Sequence, residues 1–288
     1  MNILITGATG NIGLEVVNQF KANRTIGNII AGVRDIEKTK KNYPELNDIE
    51  LRKFDFYDIS TFDSALDNID IMFLLRPPQI SNIKKYIAPL ITRIAEIGNI
   101  KIILLSVQGA ETSTIIPHRK IELLIIKNKI DYIFLRPSYF MQNLTTTLYP
   151  EIQHSKLITL PSGTAKFNWI DISDISRIVL ECASNFNKYQ NKALTISGSQ
   201  NLNFPEVVKL INLITNGEIK YRSVNPLKYF IAKKKEKYEI GMIFVMFVLH
   251  FLPRVQPEPE IVNTFYDIFN ENPKKIEEFI RMNIKKFT

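Results

Sequence analysis

The sequence predicts an α/β protein with a doubly wound parallel-sheet Rossmann fold and a smaller, mostly helical C-terminal subdomain. Three observations predict this fold class. Short apolar runs alternate with longer amphipathic stretches over the first two-thirds of the chain, which is typical of a sheet wrapped by helices. Residues 102–105 are apolar without interruption, as expected of a strand covered on both faces. A glycine-rich loop at residues 7–13 directly follows the first apolar run.

The alternation predicts seven strands with helices between them. The expected strands are residues 2–6, 29–33, 50–55, 71–75, 101–106, 132–135 and 193–196. The expected helices are residues 14–22, 60–66, 83–97, 117–127 and 171–183. Pro117 fits a first helical turn, because the amide proton that proline lacks would have no partner there. Beyond residue 200 we expect further apolar helical segments and a last amphipathic helix.

The length of 288 residues fits one large domain or a domain with a subdomain. We expect an NAD(P)-binding core over residues 1–150, completed by residues 169–198. Residues 199–288, together with 151–168, are expected to form a substrate-binding or lid subdomain. Ligands of open α/β sheets bind at the carboxyl edge of the strands, so the subdomain is expected to cover that edge.

Composition limits the function classes. The single cysteine, Cys182, excludes an intramolecular disulfide and a cysteine-rich zinc site, and three histidines far apart in sequence argue against a metal site. The net charge of +8 fits a nucleic acid, an acidic membrane surface, a phosphorylated ligand or a solvated surface. No nucleic-acid-binding motif accompanies the charge, so we expect no nucleic-acid partner.

The N-terminus enters an apolar run at once, without a basic targeting region, and we expect a cytoplasmic protein. The most apolar stretch, residues 240–252, is about two-thirds of the roughly 20 residues that a spanning helix needs. We therefore expect no transmembrane segment. The stretch fits a buried or pocket-covering helix. An interfacial membrane contact is the alternative, because Lys233, Lys234 and Lys235 lie just upstream.

The glycine loop predicts a dinucleotide site. The residues expected to contact the cofactor there are Gly7, Thr9, Gly10, Asn11, Ile12 and Gly13. The first glycine permits a tight turn, the second lets the backbone approach a pyrophosphate, and the third lets helix and strand pack closely. The start of the following helix then presents amide groups and a positive dipole end to the phosphates.

The end of the second strand indicates which cofactor binds. Arg34 stands where a basic side chain would pair with the 2′-phosphate of NADP(H), and its planar guanidinium suits that contact. Asp35 follows directly, and an acidic residue there would favour NAD(H) instead. We expect NADP(H), with NAD(H) less favoured and an ordinary surface role for Arg34 as the alternative.

Further contacts are expected at the ends of the other strands. Asp55 could accept from the adenine amino group or cap the following turn, and these alternatives stay open. The remaining residues expected to line the cofactor are Phe56, Leu75, Arg76, Pro77, Ser106, Pro137 and Tyr139.

Several motifs resemble the NmrA-like group of atypical short-chain dehydrogenases from end to end. They are GATGNIG at 7–13, the pair Val33 and Arg34, LLSVQGA at 104–110, LRPSYFMQN at 135–143, WIDISDI at 169–175 and the closing segment from Asn272 and Pro273 through Glu278 and Phe279. The resemblance implies a Rossmann domain, a preference for NADP(H) and a small substrate-binding subdomain. The group includes type 2 quinone oxidoreductases, azo-dye reductases, isoflavone-type reductases and NADP-sensing regulators without catalysis.

The tyrosine-lysine pair of the tyrosine-dependent short-chain dehydrogenases is missing from residues 117–122. The resemblance is to the quinone-reductase branch, which implies a histidine at His118 and a glutamate at Glu122. His118 is expected to make a polar contact at the nicotinamide, with a purely structural role as the alternative. Ser106 could donate a hydrogen bond or cap its turn. Tyr139 could stack on a flat acceptor or pack in the core.

These observations predict an NADPH-dependent oxidoreductase that transfers hydride to a small aromatic acceptor such as a quinone or an azo compound. The missing tyrosine does not exclude this reaction, because positioning lowers the barrier and the cofactor supplies the chemistry. The alternative is a non-catalytic NADP(H)-binding sensor that acts through a protein partner. A homodimer is left open.

Overall fold

The computed structural model describes residues 1–23, 27–113, 116–238 and 240–288. These residues form two compact units. The first unit comprises Met1–Pro137 and Ile175–Thr195, and the second comprises Ser138–Asp174 and Ile196–Thr288. The first unit contains the large sheet and the second contains two small ones, and each unit has its own set of buried side chains.

Twelve strands lie in the described part of the chain. They are β1 Asn2–Thr6, β2 Asn28–Val33, β3 Glu50–Lys53, β4 Ile71–Leu74, β5 Lys101–Leu105, β6 Tyr132–Pro137, β7 Tyr139–Phe140, β8 Leu157–Leu160, β9 Lys166–Ile170, β10 Lys192–Ile196, β11 Asn201–Asn203 and β12 Lys220–Ser223. The helices there are α1 Asn11–Ala22, α2 Ile36–Asn42, α3 Phe62–Leu66, α4 Ile83–Tyr86, α5 Ala88–Ile97, α6 Pro117–Lys127, α7 Tyr149–Ser155, α8 Ile172–Ser184, α9 Phe186–Tyr189, α10 Phe204–Thr215, α11 Pro226–Lys235, α12 Ile240–Phe251, α13 Thr264–Phe269 and α14 Ile276–Met282.

Seven strands form the central sheet in the order β10-β6-β5-β4-β1-β2-β3. The five pairings from β3 across to β6 are parallel. At the two ends of the β6–β10 pair, the amide of Asn191 donates to Tyr132 and the amide of Ser138 to Ile196, so β10 is parallel to β6 as well. The predicted doubly wound Rossmann fold is therefore confirmed.

The strand order reverses at β1, whose neighbours are β2 and β4. In open α/β sheets this switch point opens a crevice beyond the carboxyl ends of the two strands, and ligands bind there. The glycine loop follows β1, and the segment beginning at Leu75 follows β4. The topology thus brings two of the predicted cofactor segments to the same place.

The expected helix over residues 83–97 is two helices, α4 and α5, which meet at Ile87. Pro89 lies in the first turn of α5. Proline has no amide proton and disfavours helical backbone at the residue before it, so a new helix begins here instead of the old one continuing. Ile87, Leu90 and Ile94 are buried against the sheet.

The second unit is helical with two small sheets that the sequence analysis did not anticipate. One sheet has the order β11-β9-β7, and the other pairs β12 with β8. Trp169 is the largest fully buried side chain, and its indole nitrogen donates to the Leu202 carbonyl at 2.9 Å. Phe167 and Phe204 pack around it edge to face. An aromatic cluster is thus the core of this unit.

Two further observations concern single features. Within the described ranges, no helix combines the length and the apolar character needed to cross a membrane. Cys182 is buried in α8 as a free thiol, and burial raises its pKa to about 12.

Candidate active site

The glycine loop turns tightly between β1 and α1. Gly7 has a φ of +62°, in the left-handed region that favours glycine. The Gly10 amide donates to the Gly7 carbonyl at 2.9 Å. A Cβ on Gly13 would overlap that same carbonyl, so the start of α1 can approach β1 this closely only without a side chain. The local geometry thus matches the roles predicted for the first and third glycines.

The first turn of α1 is open to a ligand. Gly10 is the N-cap, and no side chain caps the amide groups that follow it. Gly7, Gly10 and Asn11 are exposed, whereas Thr9 and Ile12 are partly buried. Amide groups at a helix start with no side-chain acceptor suit an anion such as a phosphate.

Thr6, which the sequence analysis did not single out, joins the two strands at the switch point. Its buried hydroxyl accepts from the Leu75 amide at 2.8 Å and donates to the Phe73 carbonyl at 3.1 Å. A Cβ on Gly7 would lie 3.4 Å from the Leu75 side chain. The segment after β4 is therefore fixed directly beside the glycine loop.

Arg34 and Asp35 differ in how their side chains are engaged. Arg34 is exposed and makes no hydrogen bond or ion pair with the residues that the structure describes. The Asp35 carboxylate accepts from the Lys38 amide at 2.9 Å and caps the start of α2. The acidic side chain thus has a structural task, and the basic one is available to a ligand.

Asp55 and Phe56 follow β3 beside Arg34, since the Phe54 amide donates to the Val33 carbonyl at 2.8 Å. The Asp55 carboxylate accepts from the Tyr57 amide at 3.0 Å, which is the turn-capping alternative. Phe56 is buried, with its ring edge-on to Phe54 at 4.9 Å between centroids. A contact of either residue with adenine stays a prediction.

Arg76 stiffens the segment after β4. Its Nη1 donates to the carbonyls of Pro77, Pro78 and Ile80 at 2.8–3.1 Å. Its Nε is buried without a hydrogen-bond partner, and no carboxylate within the described ranges pairs with it. Burial lowers the pKa of Arg76 to about 10, so it keeps its charge at neutral pH. Arg76 is therefore a cation without a counter-charge at the carboxyl edge of the central sheet.

His118 is the second residue of α6 and is partly buried. Burial, and next the positive charge of Arg76, lower its pKa to about 3, so the imidazole is neutral at pH 7. The ring makes no hydrogen bond with any residue in the described part of the chain. His118 and Arg76 are thus near each other, and each has hydrogen-bonding capacity to spare.

Glu122 is fully buried on α6 and collects three donors. Arg136 binds it through two nitrogens at 2.9 and 2.8 Å, and Arg119 donates at 3.0 Å. The Ser106 hydroxyl donates at 2.7 Å. Burial raises the carboxyl pKa, but the hydrogen bonds and the arginine charges outweigh it and hold the pKa below the ordinary 4.5. The Glu122 side chain is therefore an ionised carboxylate that is hydrogen-bonded to residues at the ends of β5 and β6. We refer to Glu122 with Ser106, Arg119 and Arg136 as the clamp.

This clamp was not predicted, although Glu122 itself was singled out. Its carboxylate faces Ser106 and the two arginines, and no hydrogen bond joins it to His118. The Ser106 hydroxyl donates its hydrogen bond to Glu122, so towards a bound ligand the Ser106 oxygen can only accept. Arg136 in the LRPS run was the available signal, since an arginine near the end of a buried strand needs a counter-charge nearby.

Pro137 ends β6, and its carbonyl accepts from the Gln108 amide at 2.9 Å. Tyr139 belongs to the second unit, where its hydroxyl lies 2.9 Å from Nε2 of His250. Nδ1 of His250 lies 2.7 Å from the Met246 carbonyl, so it carries the proton and Nε2 accepts from Tyr139. Burial raises the Tyr139 pKa well above its usual range. Its ring packs edge to face on Trp169.

No group of three or more His, Cys, Asp or Glu side chains is arranged to hold a metal ion in the part of the chain that the structure describes. Besides Glu122 and its partners, the polar groups described above at the carboxyl edge of the first unit include backbone amides, the cations Arg34 and Arg76, and the neutral imidazole of His118. Such a set suits phosphates and an uncharged reacting group.

We predict that Glu122→Gln destabilises the protein by about 3 kcal/mol at neutral pH, because two arginines would lose their buried counter-charge. Urea unfolding of both proteins measures the difference. The folded pKa lies below the unfolded one, so the stabilisation is complete above pH 4.5 and is lost as the pH falls through the folded pKa.

Glu96→Gln is the matched control, because Glu96 pairs with Arg93 on the exposed surface. Surface pairs contribute little, so its unfolding midpoint should stay almost unchanged. Equal midpoint shifts in the two variants would contradict a special role for the buried clamp.

Comparison with known proteins agrees with this geometry. The family model described as the NmrA-like family matches residues 1–280. The Prestalk A differentiation protein A of Dictyostelium discoideum is 30% identical over 232 residues, covering 80% of this chain and 74% of that protein. The NAD(P)H azoreductase of Xenophilus azovorans is 26% identical over 230 residues, covering 77% of each.

Among solved structures, the NADPH-dependent quinone oxidoreductase QOR2 of Escherichia coli, complexed with NADPH, matches with a TM-score of 0.83. The two chains are 17% identical, and the match covers 98% of this chain and 99% of that one. At this identity the likeness shows the fold. The family match spans nearly the whole chain and agrees with the motifs at both ends of the first unit. The chain belongs to the NmrA-like family.

Proposed function

We propose that this protein is an NADPH-dependent oxidoreductase that transfers hydride to a small aromatic acceptor such as a quinone or an azo compound. One observation carries the proposal. At the switch point of the sheet, the glycine loop leads into a helix start that no side chain caps, and Gly13 in the first turn of that helix has no room for a Cβ. This arrangement fits the pyrophosphate of a dinucleotide, and the nicotinamide of that cofactor would supply the hydride.

NADP(H) is proposed over NAD(H) because of the two side chains that follow β2. Arg34 is exposed and available, whereas Asp35 already accepts the Lys38 amide. A 2′-phosphate would give Arg34 a charged partner. Asp35 would have to share its carboxylate to bind a ribose hydroxyl.

The acceptor side is proposed to be formed by His118 and Arg76. The neutral imidazole can donate one N–H to a carbonyl or azo nitrogen, and Arg76 favours charge that develops there during hydride transfer. The neutral imidazole and the guanidinium with its pKa of about 10 are both poor proton donors at neutral pH. An electron-poor acceptor that lies flat against the nicotinamide can accept the hydride without a dedicated acid, because the proton that completes the reduction can come from solvent.

The names of similar proteins support this substrate class. One relative is named an NAD(P)H azoreductase and one structural neighbour an NADPH-dependent quinone oxidoreductase. We propose that the protein acts in the cytoplasm on a small molecule.

The second candidate is a non-catalytic NADP(H) sensor that acts through a protein partner. It is favoured by the relative at 30% identity, whose name refers to differentiation and not to a reaction. The Tyr139 hydroxyl is also engaged by His250 within the second unit. Both candidates require the same cofactor site and differ in turnover.

The direct test mixes the purified protein with NADPH and a panel of quinones and azo dyes and follows the absorbance of the reduced nicotinamide. We expect acceptor-dependent oxidation of NADPH. Gly13→Ala is the matched control, because its Cβ would overlap the Gly7 carbonyl and should abolish cofactor binding. Tight NADPH binding without reduction of any acceptor would favour the sensor.

Arg34→Asp should raise the Kd for NADPH by roughly tenfold to a hundredfold and change the Kd for NADH little, because a charged hydrogen bond to the phosphate is lost. Titration of both cofactors measures the two values. Lys41→Asp, at an exposed position on α2, is the control for net charge. Equal weakening of both cofactors would refute the contact with the 2′-phosphate.

His118→Ala should lower kcat about tenfold with little change in the Kd for NADPH, because one hydrogen bond to the acceptor is lost. His118→Asn should recover part of the rate, and His154→Ala, at an exposed position on α7, should have no effect. With a pKa of about 3, His118 stays neutral, so kcat should show no inflection near the ordinary value of 6.5. An inflection there that disappears in His118→Ala would show that His118 is protonated in the reaction.

A further inference from the structure

The helix α12 of the second unit has an apolar outer face. All twelve of its residues except His250 are apolar or glycine. Its buried residues are Ile243, Met246 and His250, which share one side of the helix at spacings of three and four. Large apolar side chains are exposed on the other side. They are Ile240 at 63%, Phe244 at 56%, Val245 at 38% and Leu249 at 42%.

The buried side of α12 is anchored, so the exposed side is a stable feature of the unit. His250 accepts from the Tyr139 hydroxyl, and Met246 is part of the aromatic core. Rotation of the helix would break the hydrogen bond between Tyr139 and His250 and leave Nε2 of His250 without a partner in that core. The apolar outer face is therefore held outward.

Several lysines lie on the neighbouring helix α11 and in the residues that follow it. Residues 226–239 carry five lysines and two glutamates, and α11 packs against α12. Lys233 pairs with Glu236 at 2.7 Å. Lys228, Lys234, Lys235 and Lys237 are exposed and form no ion pair with the residues described. Lys228, Lys234 and Lys235 share α11 with Leu227 and Ile231, which are 74% and 55% exposed.

We propose that α11 and α12 dock on the surface of an anionic lipid bilayer. Phe244 and Leu249 would enter the boundary between headgroups and acyl chains, while the lysines would meet the lipid phosphates. With 12 residues, α12 is too short to span a bilayer, so the contact is peripheral.

The charge distribution favours this occupant over a second copy of the chain. A self-complementary dimer contact would place the lysine cluster of one copy near the apolar face and lysines of the other. A bilayer with anionic headgroups offers an apolar interior and negative charge side by side, as this surface requires. The proposal does not depend on the enzymatic activity, because it rests on the second unit alone.

The test sediments the full-length protein with vesicles of phosphatidylcholine, with and without phosphatidylglycerol. We expect binding to the anionic vesicles, and we expect it to weaken as salt is raised. The double variant Lys234→Glu with Lys235→Glu should lower the partition coefficient by roughly thirtyfold or more. Phe244→Ser should lower it by roughly tenfold.

Matched controls are available on the same unit. Lys285→Glu with Lys286→Glu changes the net charge equally at another exposed lysine pair, and Leu213→Ser removes an apolar side chain that is 74% exposed on α10. Both should bind vesicles as the unaltered protein does. Circular dichroism verifies that each variant is folded.

Three results would overturn the proposal. The first is no sedimentation with anionic vesicles, or equal sedimentation with neutral ones. The second is an equal loss of binding in the control variants. The third is light scattering that shows a dimer which Phe244→Ser dissociates, since the face would then belong to a second copy.

Discussion

The buried carboxylate of Glu122 is the interaction on which the carboxyl edge of the first unit depends. It binds the end of β5 through Ser106, the end of β6 through Arg136 and its own helix through Arg119. Arg136 and Arg119 share this ionised acid, and Arg136 also pairs with the partly exposed Glu111 at 3.1 Å. The same carboxylate fixes the start of α6, and with it the position of His118.

Thr6 holds two neighbouring strands together at the switch point, as Glu122 does at the ends of β5 and β6. Because its hydroxyl both donates and accepts, it fixes the segment after β4 against β1 without help from a charged group. Arg76 then binds the next carbonyls of that segment with one nitrogen. The proposed cofactor and acceptor positions are thus framed by groups whose hydrogen bonds are largely internal, while Arg34 and His118 remain available to ligands.

The sequence was most informative where local pattern decides structure. The apolar runs predicted all seven strands of the central sheet, and the glycine spacing located the turn before α1. It was least informative where distant residues meet. Glu122 and Arg136 are 14 residues apart, and Tyr139 and His250 are 111 apart, and no periodicity relates them. The split at Ile87 was readable from Pro89 but was outweighed by the continuous apolar pattern around it.

The hydrogen bond between Tyr139 and His250 connects α12 to the core of the second unit. The outer side of α12 carries exposed aliphatic and aromatic side chains, and its inner side contacts Tyr139, whose ring packs on Trp169. A displacement of α12 by the length of one hydrogen bond would leave Nε2 of His250 unsatisfied in the core, at about 1–3 kcal/mol. The core of the second unit therefore resists displacement of α12.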